Sequence, residues 1–315
     1  MKCHLLIATI KYAETTKNIF KIKWILYLGV IGVDCIFILF MRRIVYIIAL
    51  LFLFTGITCA EEYKCIISLA PSITKSLYEL GAEQFVKGIT IYCSKGTTKK
   101  EIIGTLLEPD IEKIALLNPD LIISTKEGNS KATVEKLKRL GFEVYVMETA
   151  RTFNEICVNY YNLAKKLDRK TEAKKIINAA KHSAEEIYAK INSLNRLKVF
   201  WEIGTRPLYT AGEQSFVNDY NYYTKTVNLY KGTDMRYLAV NIEDIIKRNP
   251  DIIVLVNAGD INSEEIRNWN KYKMIKAVRN SKIFMIYAGD MFMPTPLTFA
   301  KGVAMLAKVI YEDVF

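Results

Sequence analysis

The stretch Ile111-Glu112-Lys113-Ile114-Ala115-Leu116-Leu117-Asn118-Pro119-Asp120-Leu121-Ile122-Ile123 recurs 131 residues downstream. The second copy is Ile242-Glu243-Asp244-Ile245-Ile246-Lys247-Arg248-Asn249-Pro250-Asp251-Ile252-Ile253-Val254, with seven of thirteen positions identical. Each copy reads as a short helix, a stop at Asn-Pro-Asp, and an apolar β-branched run. Proline cannot continue a helix and drives its predecessor out of the α region. The run that follows has the continuous apolarity of a strand buried on both faces. The repeat therefore predicts two α/β halves, each with a parallel sheet.

Upstream of the first copy, Lys64–Leu69 reads as a strand entering Ala70-Pro71-Ser72, with Pro71 suited to a first helical turn. The helix through Leu77 and Leu80 closes at Gly81, a left-handed stop. Val86–Tyr92 and Phe142–Met147 read as strands, with a helix over 130–140 between them. After residue 195 the order restarts with a strand over Leu197–Ile203; past the repeat come a helix through Trp269–Val278 and a strand over Ile283–Tyr287. Between the halves, residues 170–194 place apolar groups three and four apart with no Gly or Pro. That predicts one rod of 25 residues, about 37 Å long, starting after a break near Asp168.

The first sixty residues are different material. Residues 24–40 and 44–58 are apolar except for Asp34, and Arg42 and Arg43 lie between them. From Met41 the order is a short basic start, an apolar stretch of signal-peptide length, then Thr58-Cys59-Ala60. This favours an exported chain whose true start is Met41, with residues 1–40 an upstream extension. Lipid attachment at Cys59 is a second option, against which Thr58 counts. A two-helix membrane hairpin is a third, but segments of 17 and 15 residues are short for a core of about 30 Å. The formal charge of +11 shrinks accordingly: residues 1–60 hold seven Lys/Arg and two Asp/Glu, leaving 37 against 31 in the remainder. No basic block survives there, which argues against a nucleic-acid partner. Three cysteines, Cys65, Cys93 and Cys157, follow the export region, an odd number and no disulfide framework. The boundaries are 1–60 extension and signal peptide, 61–150 first lobe, 151–195 connecting helices, and 196–315 second lobe.

Cys65–Gly81 (CIISLAPSITKSLYELG), Gly88–Cys93 (GITIYC), the Ile-Glu-x-Ile…Asn-Pro-Asp repeats and Gly204–Gly212 (GTRPLYTAG) together resemble the substrate-binding proteins of ABC importers for cobalamin, iron-siderophores and haem. The resemblance runs over most of residues 63–312 and is nearest the cobalamin branch. It implies two Rossmann-like lobes with parallel sheets, one long rigid backbone helix, and a ligand cleft between the lobes. It implies no enzyme, consistent with the lack of a Gly-x-Gly-x-x-Gly fingerprint, a Walker loop, or a nucleophile with a nearby base. It also implies a periplasmic or membrane-anchored monomer whose partner is a permease dimer. In this family one glutamate per lobe docks onto permease arginines, and those glutamates match Glu112 and Glu243 of the repeat. Equivalent carboxylates on two pseudo-symmetric lobes suit a two-fold partner.

Ligand residues belong on loops at the carboxyl ends of strands. In the first lobe these are Pro71, Ser72, Tyr92, Lys126 and Glu127; in the second, Tyr209, Tyr237, Asp290 and Phe292. The ligand implied is cobalamin or another corrinoid, or a ferric siderophore or haem. Thr125 stands where the cobalamin branch carries a tryptophan, so the expected cage is built of tyrosines. Tyrosine can ligate haem iron. With His4 and His182 the only imidazoles, a bare transition-metal ion is disfavoured.

Overall fold

A computed structural model describes residues 63–257 and 263–315. The readings on Met41, Arg42, Arg43 and Cys59 lie outside the described residues. The described residues belong to one compact unit built of two lobes.

The first lobe runs β1 (Ile66–Ser68), α1 (Pro71–Glu79), β2 (Val86–Ile89), β3 (Glu101–Ile102), α2 (Ile111–Leu117), β4 (Leu121–Thr125), α3 (Lys131–Arg139) and β5 (Val144–Met147). Its sheet has the order β3-β2-β1-β4-β5, parallel throughout. Two helices follow, α4 (Phe153–Lys166) and α5 (Lys170–Ile191). The second lobe then begins with β6 (Leu197–Glu202), β7 (Gly204–Thr205), β8 (Leu208–Ala211), α6 (Val217–Tyr223), β9 (Thr226–Asn228) and β10 (Tyr237–Ala239). It continues through α7 (Ile242–Arg248), β11 (Ile252–Asn257), α8 (Ser263–Trp269), α9 (Lys276–Arg279), β12 (Ile283–Tyr287), α10 (Ala288–Met291) and α11 (Pro296–Ile310). Its main sheet, β12-β11-β6-β9, is also parallel and repeats the order β5-β4-β1-β2 of the first. A small antiparallel sheet, β10-β8-β7, has no counterpart in the first lobe.

The sequence repeat has a physical purpose that is the same in both lobes. Asp110 and Asn241 cap α2 and α7, accepting from the backbone N–H of Lys113 (3.1 Å) and Asp244 (2.8 Å). Asn118 and Asn249 then end those helices in the left-handed region at φ 44° and 52°, which asparagine tolerates. The prolines are buried. The aspartates stitch the turn to the start of each lobe's first strand: Asp120 accepts from the N–H groups of Lys64 (2.7 Å) and Cys65 (2.9 Å), and Asp251 from that of Lys198 (2.9 Å).

The rod is Lys170–Ile191, 22 residues, preceded by Asp168 at φ 54°. Ala173 belongs to the core of the first lobe, and Ala180 and Ala184 to that of the second, so one helix joins both cores. A second helix does the same: α4 gives Phe153, Ile156 and Cys157 to the second lobe's core and Tyr160, Leu163 and Ala164 to the first lobe's. The expected helix over Trp269–Val278 is broken into α8 and α9. The repeat causes the break: the Asn249 side chain accepts from the Lys276 N–H (2.9 Å), and the Pro250 carbonyl from the Ala277 N–H (3.0 Å). All three described cysteines are free thiols, Cys93 and Cys157 buried. Among the described residues no helix is long and apolar enough to cross a membrane.

Candidate functional site

A cavity of about 350 Å³ lies between the lobes. The first lobe contributes the carboxyl ends of β1, β4 and β5: Pro71 and Ser72, Thr125 to Gly128 without Lys126, and Met147 to Ala150. The second contributes Phe216, Arg236 and Phe292 to Pro296, while Ile156, Asn159 and Tyr160 of α4 close the floor. The walls are mostly apolar, with Leu106, Met147, Phe216, Phe292 and Met293 doing most of the covering.

Local chemistry holds these loops. Pro71 opens α1 at its first turn, where a missing N–H is harmless. After β4, Asn129 accepts from the Thr125 N–H (2.9 Å) and donates to the Leu106 carbonyl (2.7 Å), locking two segments of the wall together. A Cβ on Gly128 would meet the Leu106 side chain at 2.8 Å and the Thr125 hydroxyl at 2.9 Å, so a larger residue there requires those side chains to move. Phe292 packs edge-on against Trp201 (6.3 Å between centroids) and lies 5.9 Å from Phe216. Thr295 then starts α11 with a reciprocal capping box, and Pro296 follows.

A cleft formed where strands of two α/β lobes end is the position at which such sheets offer a ligand site, which makes this cavity the candidate. The periplasmic binding protein family matches residues 66–288. This chain belongs to that family. It is 25% identical over 249 residues to a vitamin B12-binding protein of Vibrio parahaemolyticus, covering 78% of this chain and 89% of the relative. An uncharacterized ABC transporter substrate-binding lipoprotein of Bacillus subtilis is 25% identical over 267 residues, covering 82% and 83%. Among solved structures, a possible iron-binding (periplasmic solute-binding) protein from Staphylococcus epidermidis superposes with a TM-score of 0.70 at 27% identity, covering 80% of this chain and all of the other. The protein is thus a substrate-binding protein and not an enzyme.

In this binding protein Pro71, Ser72, Glu127 and Phe292 come together on the cavity wall. Tyr92, Lys126, Tyr209 and Tyr237 are not on it. Tyr92 is 68% exposed on a loop whose following residues are tied outward, with Thr97 and Lys100 both bonded to Glu83. Lys126 turns to the rim and pairs with Glu148 at 2.9 Å. On β8, strand alternation buries Thr210 and leaves Tyr209 exposed. Tyr237 sits behind the wall, its ring 5.5 Å from the Arg236 guanidinium. The backbone of Asp290 lies in α10, and its side chain is outside the described residues. The lining of this cavity is therefore richer in phenylalanine and methionine than in tyrosine, with Tyr160 its one tyrosine among the described residues. The residues that sequence reasoning missed, Leu106, Met147, Phe216, Arg236 and Met293, look individually like ordinary core or surface. The one available signal was proximity: Arg236 and Met293 each adjoin a residue already singled out.

Two polar clusters join the lobes around the cavity. Glu127 accepts from Arg236 Nη2 at 2.8 Å. Deeper, Glu79 of α1 accepts from the Thr295 hydroxyl at 2.8 Å, and Lys75 donates to the Gly289 carbonyl. Burial pushes the Glu79 carboxyl up, with the Thr295 and Tyr160 hydroxyls opposing. Burial and the neighbouring Glu79 charge likewise push the Tyr160 phenol up. The Tyr160 hydroxyl approaches Glu79 without closing a well-formed hydrogen bond, and the second, buried Glu79 oxygen Oε2 also lacks a partner among the described residues.

Proposed function

We propose that this protein captures a metal chelate, cobalamin or another corrinoid, in the cleft between its lobes and delivers it to the membrane permease of an ABC importer. The observation that carries this reading is the wall itself. It is a mostly apolar surface with two phenylalanines, two methionines and a few polar groups, set at the strand ends of both lobes. A flat macrocycle with hydrogen-bonding side chains needs that mixture. At about 350 Å³ the cavity is at the lower end for ligand sites, so such a ligand sits with its edge outside or with the lobes further apart. The vitamin B12-binding relative supports the corrinoid. The solved iron-binding neighbour supports a second reading, a ferric siderophore or haem.

Delivery assigns the permease contact to Glu112 and Glu243, on the exposed first turns of the equivalent helices α2 and α7. Neither makes a hydrogen bond or ion pair among the described residues. The protein works as an exported monomer, periplasmic or anchored to the outer side of the inner membrane.

Absorbance titration of the purified protein with cyanocobalamin, haemin and a ferric siderophore tests the ligand. Saturable one-to-one binding of cyanocobalamin is the expected result. Saturation by haemin or the ferric chelate alone transfers the assignment to the second reading, and binding of none overturns both.

A further inference from the structure

The cavity has one cation on its wall among the described residues, Arg236. It comes from the second lobe, just before β10, and its side chain is only 20% exposed. Five N–H groups make a guanidinium demanding when removed from water. Here Nη2 donates to Glu127, while Nε and Nη1 are buried and find no acceptor among the described residues. The Tyr237 ring lies 5.5 Å from the guanidinium, and Arg236 opposes the rise that burial gives the neutral phenol, so this neighbour contributes no charge. Among the described residues, one carboxylate from the opposite lobe, that of Glu127, is the ionic partner of this guanidinium. That carboxylate is weakly held: Glu127 is 47% exposed, on a loop, with Arg236 as its one ionic partner among the described residues.

Resting on chelate capture in this cleft, we infer that Glu127 is an internal surrogate for an anionic oxygen group of the ligand, and that a phosphodiester or carboxylate on the chelate's periphery displaces it from Arg236. Both groups present the geometry a guanidinium recognises. Glu127 is then a competitor of the ligand, not a ligand contact, and the two residues act with opposite signs on affinity. Arg236 is a specificity residue selecting anion-bearing chelates over neutral ones. Glu127 sets how tightly they are held and keeps the guanidinium neutralised while the cleft is empty.

The opposite signs make the idea testable in the intact protein. Glu127→Gln, an exposed and isosteric change, is expected to raise the affinity for the anion-bearing probe about tenfold, and Arg236→Lys to lower it about tenfold. Cyanocobalamin against dicyanocobinamide, which lacks the phosphodiester, tests one source of the anion. Haemin against its dimethyl ester, whose carboxylates are blocked, tests the other. The neutral member of the pair that binds is expected to change less than twofold in either variant. Equal effects on both members, or weaker binding in Glu127→Gln, overturn the inference. Inorganic pyrophosphate, followed on the Arg236 Nε–H resonance of the ligand-free protein, separates this from the chelate reading. A saturable shift that strengthens in Glu127→Gln supports the anchor whatever the chelate proves to be, and no shift at any concentration rejects it. Thermal melts of both variants identify any loss of folding.

Discussion

Glu202 ends β6 with none of its surface exposed, a carboxylate inside the second lobe. Trp269 Nε1 donates to Oε2 at 2.5 Å, and Oε1 has no partner among the described residues. Burial pushes this carboxyl up to about 7, the Trp269 bond opposing and the Glu265 charge adding. The sign of the linkage follows directly. The unfolded chain releases the proton near 4.5 and the folded protein only near 7, so between those values the folded state binds more protons. Stability from this group is fully present below pH 4.5, is lost as pH rises to 7, and stays reduced above. The span corresponds to about 3 kcal/mol. Glu202→Gln keeps an acceptor for Trp269 and removes the titration. It is expected to match the wild type at pH 4.5 and to melt roughly 4–10 °C higher at pH 8. Melting curves across that range check it, and parallel profiles for the two proteins exclude the assignment.

At the scale of elements, the Asn-Pro-Asp turn shows how one local device builds both lobes. Asp120 satisfies two backbone N–H groups at the start of the first lobe and Asp251 one at the start of the second. Asp120→Ala is expected to destabilise by about 2 kcal/mol and Asp251→Ala by about 1 kcal/mol. Chemical denaturation of each variant checks the order, and a larger loss for Asp251→Ala contradicts it. The anchoring role of the aspartates was not legible in sequence, since their partners Lys64, Cys65 and Lys198 lie far away in the chain. The helix stop at this turn was legible, because asparagine and proline end a helix locally. The parallel sheets and the rod were legible for the same reason, through apolar periodicity. The wall of the cleft was not. Pro71, Ser72, Glu127 and Phe292 follow strand ends and reach it, but whether a loop residue turns inward depends on distant partners. Glu83 holds the loop after Tyr92 outward, and Glu148 draws Lys126 to the rim. Met147 and Phe216 have the pattern of core residues and become wall only because the second lobe faces them. The antiparallel sheet that carries Tyr209 and Tyr237 likewise reads as mere continuation of the lobe until β8 and β10 are seen to pair.

Over the whole molecule, two helices of the connecting segment, α4 and α5, tie the lobes together. Because α4 and α5 each give side chains to both cores, a wide hinge motion would have to uncover apolar surface in either lobe. Lobe motion therefore works against this shared packing, and the Glu127–Arg236 and Glu79–Thr295 contacts are the ones placed to change with it. A stiff frame also fixes the separation of Glu112 and Glu243, which suits a two-fold partner with pockets at a fixed distance. Neither glutamate lies on the cavity wall, so docking and capture are separable. Glu112→Lys and Glu243→Lys are each expected to leave ligand affinity within about twofold of wild type. With the docking proposed above, each is expected to cut transport by the reconstituted importer at least about tenfold, since a reversed charge would oppose a basic pocket. With both reversals in one chain, transport is expected to vanish while titration with the bound chelate remains normal. Transport that persists in that double variant shows that the permease is engaged through another surface.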